Sequence, residues 1–263
     1  MGIEESVSSH YGAGNVLQLL LGMVAASGGN PDSFSPSDLR GADQLHIGGP
    51  AATTRVATRA GIRAGSRVLE LGSGMGGVSR HLASDFGASV HGIDLTPEFV
   101  ETARTITERT GLSGQVTFSQ GSILALPFED NSFDAALMVH VGMNIQDKDT
   151  AFAEAARVLR PGSVFAVYDV MLVGGDLETY PLPWAATPDT SFPQPPLAYS
   201  DALAQAGFLV DHEAKPLAEG IAFLERAAAS GGPAGVDAAA FSNLLAAFRA
   251  GVLAPVEIYA HLP

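Results

Sequence analysis

The chain has 263 residues, 46 % hydrophobic and 16 % charged, a balance that suits a core-forming globular protein and not a disordered one. Fourteen basic against 28 acidic side chains give a formal charge of −14, a field that repels phosphate backbones and argues against a nucleic-acid partner. Cysteine is absent, which excludes disulfides, thiolate zinc sites and a cysteine nucleophile.

The opening segment MGIEESVSSH is acidic and polar and lacks the basic start of a secretory leader. The apolar stretch 11–26 is too short to span a bilayer and carries Gln18 and Gly22. These features predict a cytoplasmic protein with no membrane partner. A Gly/Pro/Ser-rich loop (27–37) follows, then a helix over 50–60 with Pro50 at its favoured first position. Beyond it, short apolar runs at 66–71, 88–94, 115–119, 133–139 and 163–170 read as strands. The segments between them, 77–86, 97–110 and 148–159, carry apolar residues three and four apart and read as helices. Gly111 and Pro161-Gly162 supply stop signals.

Strands alternating with helices of this length imply crossover connections and a parallel sheet. After a proline-rich loop (180–196) come a helix near 199–206, a strand near 208–214, helices around 217–230 and 236–250, and a strand-like run at 255–262. The expected fold class is α/β: a doubly wound, mostly parallel, seven-stranded Rossmann-like sheet with an N-terminal helical cap. Its expected division is a cap at 1–64 and a ligand-binding domain at 65–263, with a helical insertion at about 217–250.

The sharpest feature is VLELGSGMGG at 68–77, a strand running into Gly72, Gly74, Gly76 and Gly77 and then a helix. Glycines there permit positive φ and let the backbone approach a ligand without a Cβ in the way. Gly72, Gly74 and Gly77 also fit the dinucleotide fingerprint, with Asp94 22 residues after Gly72 where a ribose-binding acid belongs. Glu70 separates the two readings. A carboxylate beside the loop suits a cationic ligand and is a poor neighbour for pyrophosphate.

Read as E-x-G-x-G, the loop resembles motif I of the class I S-adenosylmethionine (SAM)-dependent methyltransferases. Three later segments strengthen the resemblance: HGIDLTP around Asp94, GSILALPFEDNSFDAALMVHV (121–141), and VLRPGSVFAVYDVM (158–171). Residues 44–53 and 180–185 look like the small-molecule branch, among them sarcosine and dimethylglycine N-methyltransferases and secondary-metabolite relatives. The resemblance implies SAM as cofactor and S-adenosylhomocysteine as product. It implies SAM contacts from Glu70, Gly72, Ser73, Gly74, Gly76, Asp94, Leu95, Ser122, Ile123 and His140. The family has an acid where this chain has Ser122, so the adenine contact is expected to be weaker or to move to the backbone and Ile123.

In open α/β sheets ligands lie beyond the carboxyl ends of the strands, which is where Asp94, Ser122, His140 and Asp169 are expected. His140 is the candidate general base or polar acceptor contact, Asp169 a candidate for orienting the acceptor, and Tyr11 and Asn144 further candidates. Trp184 with Tyr180 is a candidate aromatic wall. The histidines lack metal-ligand spacing and no clustered carboxylate motif occurs, so no metal is expected. The expected function is methyl transfer to a small-molecule acceptor, an amine or hydroxyl, by an enzyme that is a candidate homo-oligomer. Two alternatives stand beside it: a SAM-binding homologue catalysing a non-methylating rearrangement, and an NAD-dependent oxidoreductase.

Overall fold

A computed structural model describes residues 2–12, 14–39, 41–232 and 235–263. Seven strands form one sheet: β1 (Arg67–Leu71), β2 (Ser89–Asp94), β3 (Val116–Gln120), β4 (Phe133–Val139), β5 (Leu159–Leu172), β6 (Leu209–Ala214) and β7 (Leu253–His261). The order is β3-β2-β1-β4-β5-β7-β6. Strands β1 to β5 run parallel, and β7 lies antiparallel between β5 and β6. The helices are α1 (Ile3–Tyr11), α2 (Val16–Ala26), α3 (Gly49–Arg59), α4 (Gly77–Phe86), α5 (Pro97–Arg109), α6 (Lys148–Val158), α7 (Pro196–Gln205), α8 (Leu217–Ala229) and α9 (Ala238–Arg249).

Period-two alternation in the strands sends side chains to two cores. Val68, Val90, Ala135 and Leu137 face α3, α4 and α5, whereas Leu69, Ile93, Ala136 and Met138 face α6 and α7. Two satellite clusters roof the carboxyl end of the parallel strands. Leu20, Leu21, Val24 and Leu39 pack on Phe99, Ile106 and Met75. On the other side, α8 and α9 pack with Ile47, Met143, Val170 and Trp184.

The structure differs from expectation at three places. Of the segment 1–64, α3 belongs to the helical layer of the core, burying Ala52, Val56 and Ala57 against the sheet, so only the chain before it overhangs the strand ends. Strand β5 begins at Leu159 and not at 163, because Leu159 already pairs with Phe133 and the Pro161-Gly162 step is absorbed as a register shift beside it. Helix α1 has no counterpart in the sequence reading; it buries no residue, so no apolar periodicity marks it.

Candidate active site

The chain leaves β1 at Leu71 and must reverse into α4 within a few residues. It does so with Gly72, Gly74 and Gly76 at φ of 73°, 50° and 77°, the left-handed region that glycine enters without cost to a side chain. These glycines serve different ends. A Cβ on Gly72 would collide with Val141, and one on Gly76 with Phe118, so both allow close packing. A Cβ on Gly74 would meet no atom within 4 Å. The open space of the loop is therefore beside Gly74.

That space adjoins Asp94. Gly74 N–H donates to Asp94 Oδ2 at 2.7 Å and Thr96 N–H donates to Oδ1 at 2.9 Å. A carboxylate offers about four acceptor positions, so roughly two remain for a ligand. Burial raises the Asp94 pKa above the usual range, and the backbone donors oppose it. Ser73 Oγ, also on the loop, is buried without a hydrogen-bond partner.

Glu70 lies behind the loop. Its buried carboxyl accepts from Ser79 Oγ on α4, and burial pushes its pKa up to about 8. The loop is braced by an arginine that the sequence reading missed. Arg80 is wholly buried; its Nη2 donates to Asp43 Oδ2 at 2.7 Å and to Met75 O at 2.6 Å, and Nη1 reaches Ala103 O and Thr107 Oγ1. It therefore ties the loop, α5 and the segment before α3 together. Nothing local in GVSRHL distinguishes it from a surface arginine.

At the end of β3, Ser122 Oγ donates to Glu4 Oε1 and accepts from Leu124 N–H at 3.0 Å, while Ile123 is buried and Leu95 half-buried. Glu4 belongs to α1. At the other end of that helix, His10 Nε2 lies 3.1 Å from Pro183 O and Tyr11 OH accepts from Asn144 Nδ2 at 3.1 Å. The Tyr11 ring rests on Phe99 with centroids 5.7 Å apart. Helix α1 thus bridges the cleft from Ser122 to the turn after β4.

That turn starts at His140, a non-glycine residue at φ 55° whose N–H donates to Tyr168 O at 2.7 Å. Its ring packs on Tyr168 and His46, with centroids 4.9 and 5.9 Å away, and Nε2 is buried without a partner. His46 Nε2 donates to Gly49 O at 3.0 Å, and Tyr168 OH donates to Ile47 O at 3.0 Å. Burial lowers His46 to about 4 and His140 well below the ordinary imidazole value, so both rings are neutral at pH 7. Burial likewise raises the Tyr11 phenol, which keeps its proton. Asn144 Oδ1 is a further buried acceptor without a donor.

Asp169 is placed differently from what its position at a strand end suggested. It is fully buried inside β5, accepting from Tyr199 OH at 2.7 Å and Val170 N–H at 2.8 Å. Gly142 lies directly against it, where any Cβ would strike the carboxylate. Burial raises its pKa to about 6. Nearby, Lys148 Nζ donates to Ile145 O and Phe192 O, both at 2.8 Å. Asp169 and Lys148 thus brace the 142–145 turn from below. Trp184 is buried, with Nε1 donating to Ser191 Oγ at 2.9 Å, and Tyr180 packs at the margin of the same cluster.

Residues 69–167 match the family model described as a methyltransferase domain. A sterol 24-C-methyltransferase of Gibberella zeae is 36 % identical over 112 residues, 43 % of this chain and 30 % of that protein. The chain spans about a third of the length of the first such relatives. Two solved structures share the fold nearly end to end. The geranyl diphosphate C-methyltransferase of Streptomyces coelicolor has a TM-score of 0.76 at 16 % identity, covering 100 % of this chain and 99 % of that one. The [4+2]-cyclase SpnF has a TM-score of 0.70 at 22 % identity, covering 95 % and 93 %. The chain shares the Rossmann-like fold of these structures. Among the described residues, no helix is long and apolar enough to cross a membrane, and no three acidic or histidine side chains gather as a metal site.

Proposed function

We propose that this chain binds SAM along the loop between β1 and α4 and transfers its methyl group to a small-molecule acceptor. The observation that carries the reading is the open space beside Gly74, next to an Asp94 carboxylate with acceptor positions to spare. Bare backbone there admits the amino-acid part of the donor, and one carboxylate can accept from both vicinal ribose hydroxyls. Ser73 Oγ offers a further polar contact, and Leu95, Ser122 and Ile123 flank the adenine side. Gly72 and Gly76 shape the loop, and Glu70 supports it through Ser79.

Displacement at a sulfonium needs its three reacting atoms aligned and water kept out; the leaving group is already good, so the step asks for no Lewis acid. Helix α1, lying across the cleft, suits the exclusion of water. His140, neutral and unpartnered at Nε2, suits the removal of an acceptor proton, and the hydrogen-bonded pair of Tyr11 and Asn144, on α1 and the turn that His140 starts, suits holding the acceptor. Asp169 acts on the acceptor only through the turn it braces. The acidic surface supports a small molecule over a nucleic acid as the partner.

Incubation with methyl-labelled SAM and a pool of small hydroxylated and amino acceptors tests this. Label should leave SAM for an acceptor, and His140→Ala should lower the maximal rate by roughly 10²–10⁴ with SAM affinity nearly unchanged. Acceptor conversion with all label retained in SAM would instead indicate a non-methylating rearrangement.

A further inference from the structure

Resting on that reading, we infer that the acceptor is an uncharged, mostly apolar molecule that presents a hydroxyl to the methyl end of the cleft. The first argument is the state of the described buried charged groups: each is held by protein hydrogen bonds, Lys148 and Glu70 by neutral groups alone, and only Arg80 Nε, behind the glycine loop, is left over. Arg80 is paired with Asp43, and Lys148 is held by two carbonyls. Glu257 is held by Arg55 and Tyr259, Asp169 by Tyr199 and the Val170 N–H, and Glu70 by Ser79. Asp94 belongs to the donor side. Among the described buried residues, then, no cation is left for a phosphate or carboxylate and no carboxylate for an ammonium. A charged acceptor would be desolvated there without compensation.

The second argument is what remains unpartnered at this end: His140 Nε2 and Asn144 Oδ1, both buried. With its proton on Nδ1 the neutral His140 ring presents Nε2 as an acceptor, and the Asn144 amide oxygen is an acceptor as well. Tyr11 OH, which already accepts from Asn144 Nδ2, has its own proton free to donate. An acceptor hydroxyl complements two members of this set, donating to His140 Nε2 and accepting from Tyr11, and leaves Asn144 Oδ1 for a second donor on the acceptor or a water. The third argument is the backing of the site. Ile47, Met143, Val170 and Leu182 form an apolar cluster adjoining the His46 loop and the 142–144 turn.

In the reaction, the acceptor O–H proton passes to His140 Nε2 and an oxygen lone pair forms the O–CH3 bond. The S–CH3 pair returns to sulfur, giving a methyl ether, S-adenosylhomocysteine and an imidazolium that releases its proton to water.

Calorimetry on the full chain tests the inference with three probes of one shape: naphthol, naphthyl phosphate and naphthylmethylamine. S-adenosylhomocysteine is titrated first, and each probe is then titrated into the saturated protein. Naphthol should bind about tenfold or more tighter than either charged analogue, and His140→Ala should weaken naphthol binding roughly fivefold, about 1 kcal/mol, while the charged analogues stay weak. Equal or tighter binding of the phosphate or the ammonium compound, or no binding of naphthol, overturns the inference while S-adenosylhomocysteine binding keeps the donor reading. Failure of the first titration removes the donor reading itself, and the inference with it.

Discussion

Replacing Asp43 with asparagine strands Arg80 as a buried cation without its counter-ion. The guanidinium is wholly buried and its Nη2 sits 2.7 Å from Asp43 Oδ2. Removing one member of such a pair costs about 3–5 kcal/mol. Arg80 keeps its bonds to Met75 O, Ala103 O and Thr107 Oγ1, which places the expected loss near the lower end, about 3 kcal/mol. At about 2–4 °C per kcal/mol for a domain of this size, the midpoint of thermal unfolding should fall by roughly 6–12 °C. Urea and thermal unfolding of Asp43→Asn measure this directly. The double variant Asp43→Leu, Arg80→Met removes both charges and should recover most of the stability, because apolar replacement of a buried pair is often neutral or better. It should not recover SAM affinity, since Arg80 also holds Met75 O of the glycine loop. A loss below about 1 kcal/mol in the single variant, or a double variant no more stable than the single, would refute the account of Arg80 as the brace of the loop.

Two further outcomes follow from the same geometry. The Glu70 carboxyl titrates at about 8 when folded against 4.5 unperturbed, so the folded state holds its proton more tightly. That stabilisation is complete below pH 4.5 and is lost as pH rises through 8. Glu70→Gln should therefore gain in melting temperature on the wild type across that interval, and parallel melting curves against pH would contradict it. Removing residues 2–12 deletes α1, whose one substantial packing contact is the half-buried Tyr11 on Phe99, so stability should fall by only about 1–2 kcal/mol. Turnover should fall far more than SAM affinity, because the bridge from Ser122 to Asn144 is gone. Full turnover in the truncated protein would show that α1 has no part in closing the cleft.

Much of the sheet could be read from sequence because its signals are local. The bounds of β4 and α4 coincide with those read from apolar runs and periodicity, and the motifs fall in order along the strand ends. The site is less readable wherever it depends on distant pairs. Arg80 and Asp43 meet only after the chain before α3 folds over α4, and His46 reaches His140 by the same route. The left-handed turn at His140 has no glycine to announce it. Asp169 shows the limit of inferring direction from position. A strand end puts a residue near the cleft, but the close approach of Gly142 and the hydroxyl of Tyr199 turn this carboxylate inward. Helix α1 escapes for a related reason: its contacts are one aromatic ring, Tyr11 on Phe99, and single polar bonds to far segments, which leave no periodic trace.

The central claim, that the loop and Asp94 form the donor site, is tested most directly by calorimetric titration of SAM into the wild type and Asp94→Ala. Hydrogen bonds to a charged group are worth about 1.5–3 kcal/mol each, so loss of both ribose contacts should weaken binding roughly a hundredfold or more. The variant should remain folded with some loss of stability, because the Gly74 N–H it frees borders the open space of the loop and only the Thr96 N–H is left buried. Saturable SAM binding by the wild type with this loss in the variant is the predicted result. Absence of SAM binding by the wild type, or equal affinity in the folded variant, would contradict it.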